Sequence, residues 1–221
     1  MSLDALEIRD CPELTSFPVC IPNLTSILLS NCKNLEELPD QLHGLKSLQS
    51  LFMKECPELE TIPGCLPSSL NLLCISSCHK LTPRVEWGLH KLNSFSCIEI
   101  EGGCTDLESF PEQNLLPVNL TSLRISRLMN LKFLDYKGLE HLTSLETLKI
   151  NSCGKLQSFP AEARGSGSRL LVYRCVVVVV VVFLSTFNLQ QRNCLEACYV
   201  FGYLVPTTFL ANFKGGCRLL Q

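Results

Sequence analysis

The 221-residue chain is short of nearly every pattern that marks an enzyme or a nucleic-acid-binding protein. It has no G-x-x-x-x-G-K-[ST] loop to wrap phosphates, no G-x-S-x-G elbow to present a serine and no H-E-x-x-H pair to hold zinc. Only four histidines occur, His43, His79, His90 and His141, and they lie on separate segments, where each reads as a surface residue rather than a base or a ligand. Lysine and arginine are nowhere clustered, which argues against a nucleic-acid partner, since phosphate contacts need such clusters. No basic stretch followed by an apolar core opens the sequence, so no secretory leader is expected. These absences predict a non-enzymatic protein without cofactor or metal.

What the chain does have is apolar bulk and cysteine. Hydrophobic residues make up 46% of the composition, more than in most soluble domains. The net charge of −2 hides an imbalance, because residues 1–162 carry 13 basic and 20 acidic side chains while 163–221 carry 6 and 1. Of the 14 cysteines, Cys11, Cys32, Cys56, Cys78, Cys104 and Cys153 recur at one place in a repeated pattern, so each is expected to stack on its equivalent as a small, reduced, buried hydrophobe in a cytosolic protein. Cys74, Cys78 and His79 are close in sequence, as are Cys194 and Cys198, but zinc needs four converging ligands. Cys74 and Cys78 are expected to point to different faces, so no metal site is predicted.

The pattern is clearest in Leu145 to Pro160, LETLKINSCGKLQSFP. Alternation at Leu148 and Ile150 gives way to a period near three at Cys153, Leu156 and Phe159 before proline stops it. Equivalent starts fall at Leu3, Leu24, Leu48, Leu70, Phe95, Leu120 and Leu145, with spacings of 21, 24, 22, 25, 25 and 25 residues. This is leucine-rich-repeat grammar, and it predicts an α/β solenoid of about seven repeats over residues 1–162, with curved parallel strands on the concave face and irregular or short helical convex segments. Prolines after the returning hydrophobic, as in Leu38-Pro39, Ile62-Pro63 and Phe110-Pro111, forbid regular helix there. Asp40 is expected to cap a helical turn over 40–46, and a second turn is expected over 137–143. Gly102-Gly103 should absorb one extra residue before Cys104, and Trp87 should pack in the fourth return leg.

After Glu162 the grammar fails, and 163–221 is expected to be an atypical hydrophobic tail rather than a folded domain. Its seven consecutive valines sit in an uninterrupted apolar run of only ten residues, Cys175 to Leu184, too short for a membrane span without including Arg174. The alternatives are an added strand or aggregation-prone segment and, favoured by the abrupt loss of repeat grammar before it, sequence under no selection. If the run forms a strand, it would cap the free edge left by Leu148 and Ile150.

Outward positions of successive strands should align into a column reading Glu7, Leu28, Phe52, Cys74, Glu99, Arg124 and Lys149, with Leu72 beside its middle. The expectation is an exposed apolar patch flanked by charge, the usual make-up of a protein-binding surface. Asn23-Leu24-Thr25 and Asn119-Leu120-Thr121 match the glycosylation sequon, but they recur as a repeat phrase and are expected to be unused.

The phrases LEIRDCPELTSFP, LKSLQSLFMKECPELETIP, GGCTDLESFPEQNLLPVNLTSLRI and GLEHLTSLETLKINSCGKLQSFPAE resemble the C-terminal repeats of plant disease-resistance proteins of the coiled-coil, nucleotide-binding, leucine-rich-repeat type, over about residues 1–162. That resemblance implies a role in cytoplasmic innate immunity. The implied partner is a protein: a pathogen effector, a guarded host protein or the nucleotide-binding module that such repeats hold inactive. The coiled coil and nucleotide-binding module are not in this sequence, and the family would continue past Glu162 with a further repeat, so a truncated product of poor isolated stability is expected. The alternative is an extracellular or membrane-anchored receptor fragment with the valine run as its span.

Overall fold

The computed structural model describes residues 4–17, 21, 23–156 and the backbone of 177–181. Leu3, Phe159, Pro160 and the cysteines at 194 and 198 lie outside the described residues.

Alternating apolar positions produce one five-residue strand per repeat. These are β1 Ala5–Arg9, β2 Ser26–Ser30, β3 Ser50–Lys54, β4 Leu72–Ser76, β5 Cys97–Glu101, β7 Ser122–Ser126 and β9 Thr147–Asn151. Two short strands, β6 Ser109–Phe110 and β8 Phe133–Leu134, pair with each other in a separate sheet on the return legs. The valine run supplies β10, Val177–Val181, parallel to β9 with Val177 opposite Thr147. The main sheet therefore runs β1-β2-β3-β4-β5-β7-β9-β10, every pair of neighbours parallel. Of the readings open for the valines, the added strand is the one the backbone carries.

The same chain chemistry closes both ends of each repeat strand. At the entry, Gln49 N donates to Thr25 O at 2.8 Å, Asn71 N to Gln49 O at 2.8 Å, Ser96 N to Asn71 O at 2.9 Å and Thr121 N to Ser96 O at 2.9 Å. At the exit, the residue after each strand turns into the left-handed region: Asp10, Asn31, Glu55, Ser77, Arg127 and Ser152 all have φ between 52° and 55°. That turn aims its N–H along the solenoid, so Glu55 N reaches Ser76 O at 2.8 Å and Ser77 N reaches Glu101 O at 2.8 Å. The sharp turn off the strand thus belongs to the residue before the ladder cysteine. In the fifth repeat the extra residue is taken up by three successive positive φ values, at Gly102, Gly103 and Cys104. Gly103 has no room for more, since a Cβ there would lie 2.5 Å from Cys78 O.

The inward side chains form one continuous core. Leu51, Met53, Leu73, Ile75, Ile98 and Ile100 are wholly buried between the sheet and the return legs. The cysteine ladder lies along the exit edge of this core, and its thiols act as hydrogen-bond donors to main-chain carbonyls: Cys56 Sγ to Lys54 O at 3.3 Å, Cys78 Sγ to Met53 O at 3.6 Å and Cys104 Sγ to Leu81 O at 3.0 Å. Burial pushes the Cys104 thiol up to about 12. In the Cys56–Cys78 pair, the hydrogen bond with Cys56 comes first and burial second in pushing Cys78 up.

The convex side is irregular, as expected. Short 3-10 turns occur at Asp40–Gly44, Val85–Trp87 and Leu89–Lys91, and one α-helical turn, α1, at Tyr136–Leu139. Trp87 packs in the fourth return leg and is 2% exposed. Asp40 is not the cap it was expected to be. Pro39 holds that position with extended backbone, and Asp40 already lies inside the first turn with no side-chain capping bond. The side chain that does cap is Asp135, whose Oδ1 accepts from Lys137 N at 2.9 Å. It stands where other repeats have proline, so one backbone break replaces another.

Candidate functional site

Strand register places the predicted column in one line. Glu7 lies opposite Leu28, Leu28 opposite Phe52, Phe52 opposite Cys74, Cys74 opposite Glu99, Glu99 opposite Arg124 and Arg124 opposite Lys149. Leu72 sits one column over, opposite Ser50 and Cys97. The reason is the two-residue side-chain period of a strand combined with parallel pairing without slip: the third residue of each strand faces the same way in every repeat.

The apolar centre differs from the expected exposed patch. Leu28, Phe52 and Leu72 are half-buried, and Cys74 is only 9% exposed. Neighbouring strands are close enough for these side chains to cover one another. Burial and the Glu99 carboxylate raise the Cys74 thiol to about 11, which keeps it protonated and unreactive at neutral pH. The large hydrophobics that are exposed among the described residues, Val118, Met129 and Phe133, lie off the column. Phe133 belongs to β8, in the other sheet.

Charge gathers at the ends. Near β1, Arg9 Nε meets Glu7 Oε2 at 3.0 Å. On β5, β7 and β9 the face opens into a cleft of about 270 Å³ lined by Glu99, Glu101, Arg124, Arg127, Lys149 and Asn151, among others. Arg127 pairs with Glu101 at 2.8 Å, and Arg124 reaches Glu99 only at 3.9 Å. Two buried polar atoms in this region have no hydrogen-bond partner, Ser122 Oγ and Asn151 Oδ1. Glu101 and Asn151 were missed by following one column, although the same alternation two residues on would have found them. Arg127 is invisible to alternation, because it belongs to the left-handed exit turn.

The histidines do not gather with other groups. His43 Nδ1 lies 2.7 Å from Asp40 O and His141 Nε2 lies 2.8 Å from Leu116 O, both local contacts of the convex side. Among the described residues no group of three or more His, Cys, Asp or Glu side chains could hold a metal ion, and no helix is long and apolar enough to cross a membrane.

No protein-family model matches the chain. A solved structure of the leucine-rich repeat domain of the type III effector XopL superposes with a TM-score of 0.51 over 81% of this chain and 76% of that one, at 21% identity. The fold is a leucine-rich-repeat solenoid. In sequence, 137 residues of the chain, 62% of it, are 58% identical to an Arabidopsis thaliana protein named “Putative disease resistance protein”. The chain spans about 10% of the length of that relative. The repeats are therefore similar to those of a plant resistance protein.

Proposed function

We propose that this solenoid is a non-catalytic recognition module of plant disease resistance, working in the cytoplasm, whose concave column docks a protein partner. The partner classes are a pathogen effector, a guarded host protein or a nucleotide-binding module. The observation that carries the reading is the column itself: seven side chains of mixed apolar and charged type in unbroken register along one face, from Glu7 to Lys149. Side-chain identity varies along that line while the inward positions stay apolar, which is how a fixed scaffold presents a variable surface. The likeness to a resistance protein supplies the biological setting.

Two further features support the cytoplasmic reading. The ladder cysteines use their S–H groups as donors to main-chain carbonyls, a role that needs the reduced thiol. The Asn119 side-chain nitrogen, the atom a glycan would occupy, already donates to Asn93 O.

The test is partner capture from plant leaf extract by the wild-type chain and by the double variant Leu28→Asp, Phe52→Asp. Capture should be lost while the variant still shows a melting transition, moved down by the lost half-buried contact and by the two facing carboxylates. Unchanged capture by the folded variant would overturn the reading.

A further inference from the structure

The charged cleft at the β5–β9 end is not balanced within itself. Glu101 is engaged by Arg127 at 2.8 Å and also accepts from Ser76 Oγ at 3.3 Å. The Glu99–Arg124 pair is stretched to 3.9 Å, which leaves most of the Arg124 donors unused. Lys149, on the neighbouring strand and opposite Arg124, has no carboxylate partner among the described residues. Beside it, Asn151 Oδ1 is buried without a donor. A cleft with one surplus positive charge and one orphaned acceptor is matched by a carboxylate next to a main-chain N–H.

Resting on the reading of the concave face as a protein-docking surface, we propose that this cleft takes an aspartate or glutamate of an extended acidic segment in the partner, with an apolar residue of the same segment over Phe52. The carboxylate is held between Arg124 and Lys149, and a backbone N–H of the segment donates to Asn151 Oδ1. The separation follows from strand spacing. Phe52 and Arg124 are three strands apart and Phe52 and Lys149 four, hence about 14 and 19 Å across the sheet. An extended chain covers that in about four to six residues. A dianion such as a phosphate suits the cleft less well, because Glu99 and Glu101 line the same wall and would repel the second charge.

The experiment is fluorescence anisotropy of the full chain with a fluorescein-labelled peptide, Gly-Ser-Phe-Leu-Ser-Thr-Ser-Glu-Glu-Gly, and with its glutamine and phosphoserine counterparts at the two glutamates. At low salt the glutamate peptide should bind about five- to tenfold more tightly than the glutamine peptide, a difference erased by about 0.5 M sodium chloride. Lys149→Glu, and more mildly Lys149→Gln, should remove that preference and leave the glutamine peptide unaffected, while Phe52→Asp should weaken both. Equal binding of the two peptides, both still dependent on Phe52, overturns the acidic-segment assignment and leaves the docking surface standing. Tighter binding of the phosphoserine peptide also overturns it. If Phe52→Asp changes neither, or if no peptide binds, the assignment falls, and in the former case the docking reading falls with it.

Discussion

At the level of single residues, the costliest demand this fold makes is a left-handed backbone at the end of every repeat strand. Asn31 and Asp10 tolerate that conformation well, but Glu55 and Arg127 do not, since a longer L side chain in this region is strained by about 1 kcal/mol or more. The Glu55 side chain is exposed and makes no bond that would be lost, while its N–H to Ser76 O is kept by any non-proline residue. Glu55→Asn should therefore stabilise the chain by up to about 1 kcal/mol, read as a rise in the urea midpoint with unchanged slope. Gly103 presents the opposite case. With φ at +67° and Cys78 O at 2.5 Å from a Cβ, Gly103→Ala should destabilise by about 1–3 kcal/mol, and a variant as stable as the parent would contradict the bulge described there. The cysteines divide in the same local way. Cys65 is exposed, whereas Cys32, Cys56, Cys78, Cys104 and Cys153 are buried. Site-resolved alkylation at pH 7.5 should label Cys65 at once and Cys32, Cys104 and Cys153 only after unfolding, because burial raises those three above the ordinary thiol value, and a raised value lowers the thiolate fraction at any pH below it.

Among the elements, those set by side-chain period were readable in the sequence and those set by backbone geometry were not. Leu148 with Ile150, and Leu51 with Met53, fixed both the strand and its facing, because a slip of one residue would have put leucines into solvent. The caps had no such discipline. Asp40 follows a proline that already has the extended backbone of a cap, so its carboxylate finds no free N–H to take, whereas Asp135 holds the cap position itself and reaches Lys137 N. Asp135→Ala should loosen α1 and cost about 0.5–2 kcal/mol, while Asp40→Ala should be near neutral. The concave column was readable for the same reason as the strands, but its openness was not: exposure of Phe52 and Cys74 depends on the size of side chains one strand away. The valine strand was legible as a β-branched tract with one edge on which to pair, that of Leu148 and Ile150. Its place in the order follows from β9 having a free edge, and Val179→Pro should remove one ladder donor and speed amide exchange in β9, Thr147–Asn151; unchanged protection there would argue against β10.

For the molecule as a whole, each repeat touches only its neighbours, so order should be lost from the ends inward rather than in one step. Trp87, the single tryptophan, is buried in the fourth of seven repeats and reports on the middle of the stack. Its fluorescence transition should come at higher urea than the loss of exchange protection in β1, and coincident transitions would instead indicate a unit that melts all at once. The uniform joints between repeats have another consequence, for how such a surface changes over generations. The exit turns from Asp10 to Arg127 each hand their N–H to the next strand's last carbonyl, so the repeats share one kind of joint along the concave sheet. Unequal exchange deleting residues 97–121, one 25-residue period, would set Cys74 directly beside Arg124 and erase the acidic strand between them, keeping the joints of the concave sheet at the expense of the β6–β8 pairing. Inheritance can thus rewrite the order of charges in whole strands, faster than point substitution and without renegotiating the fold.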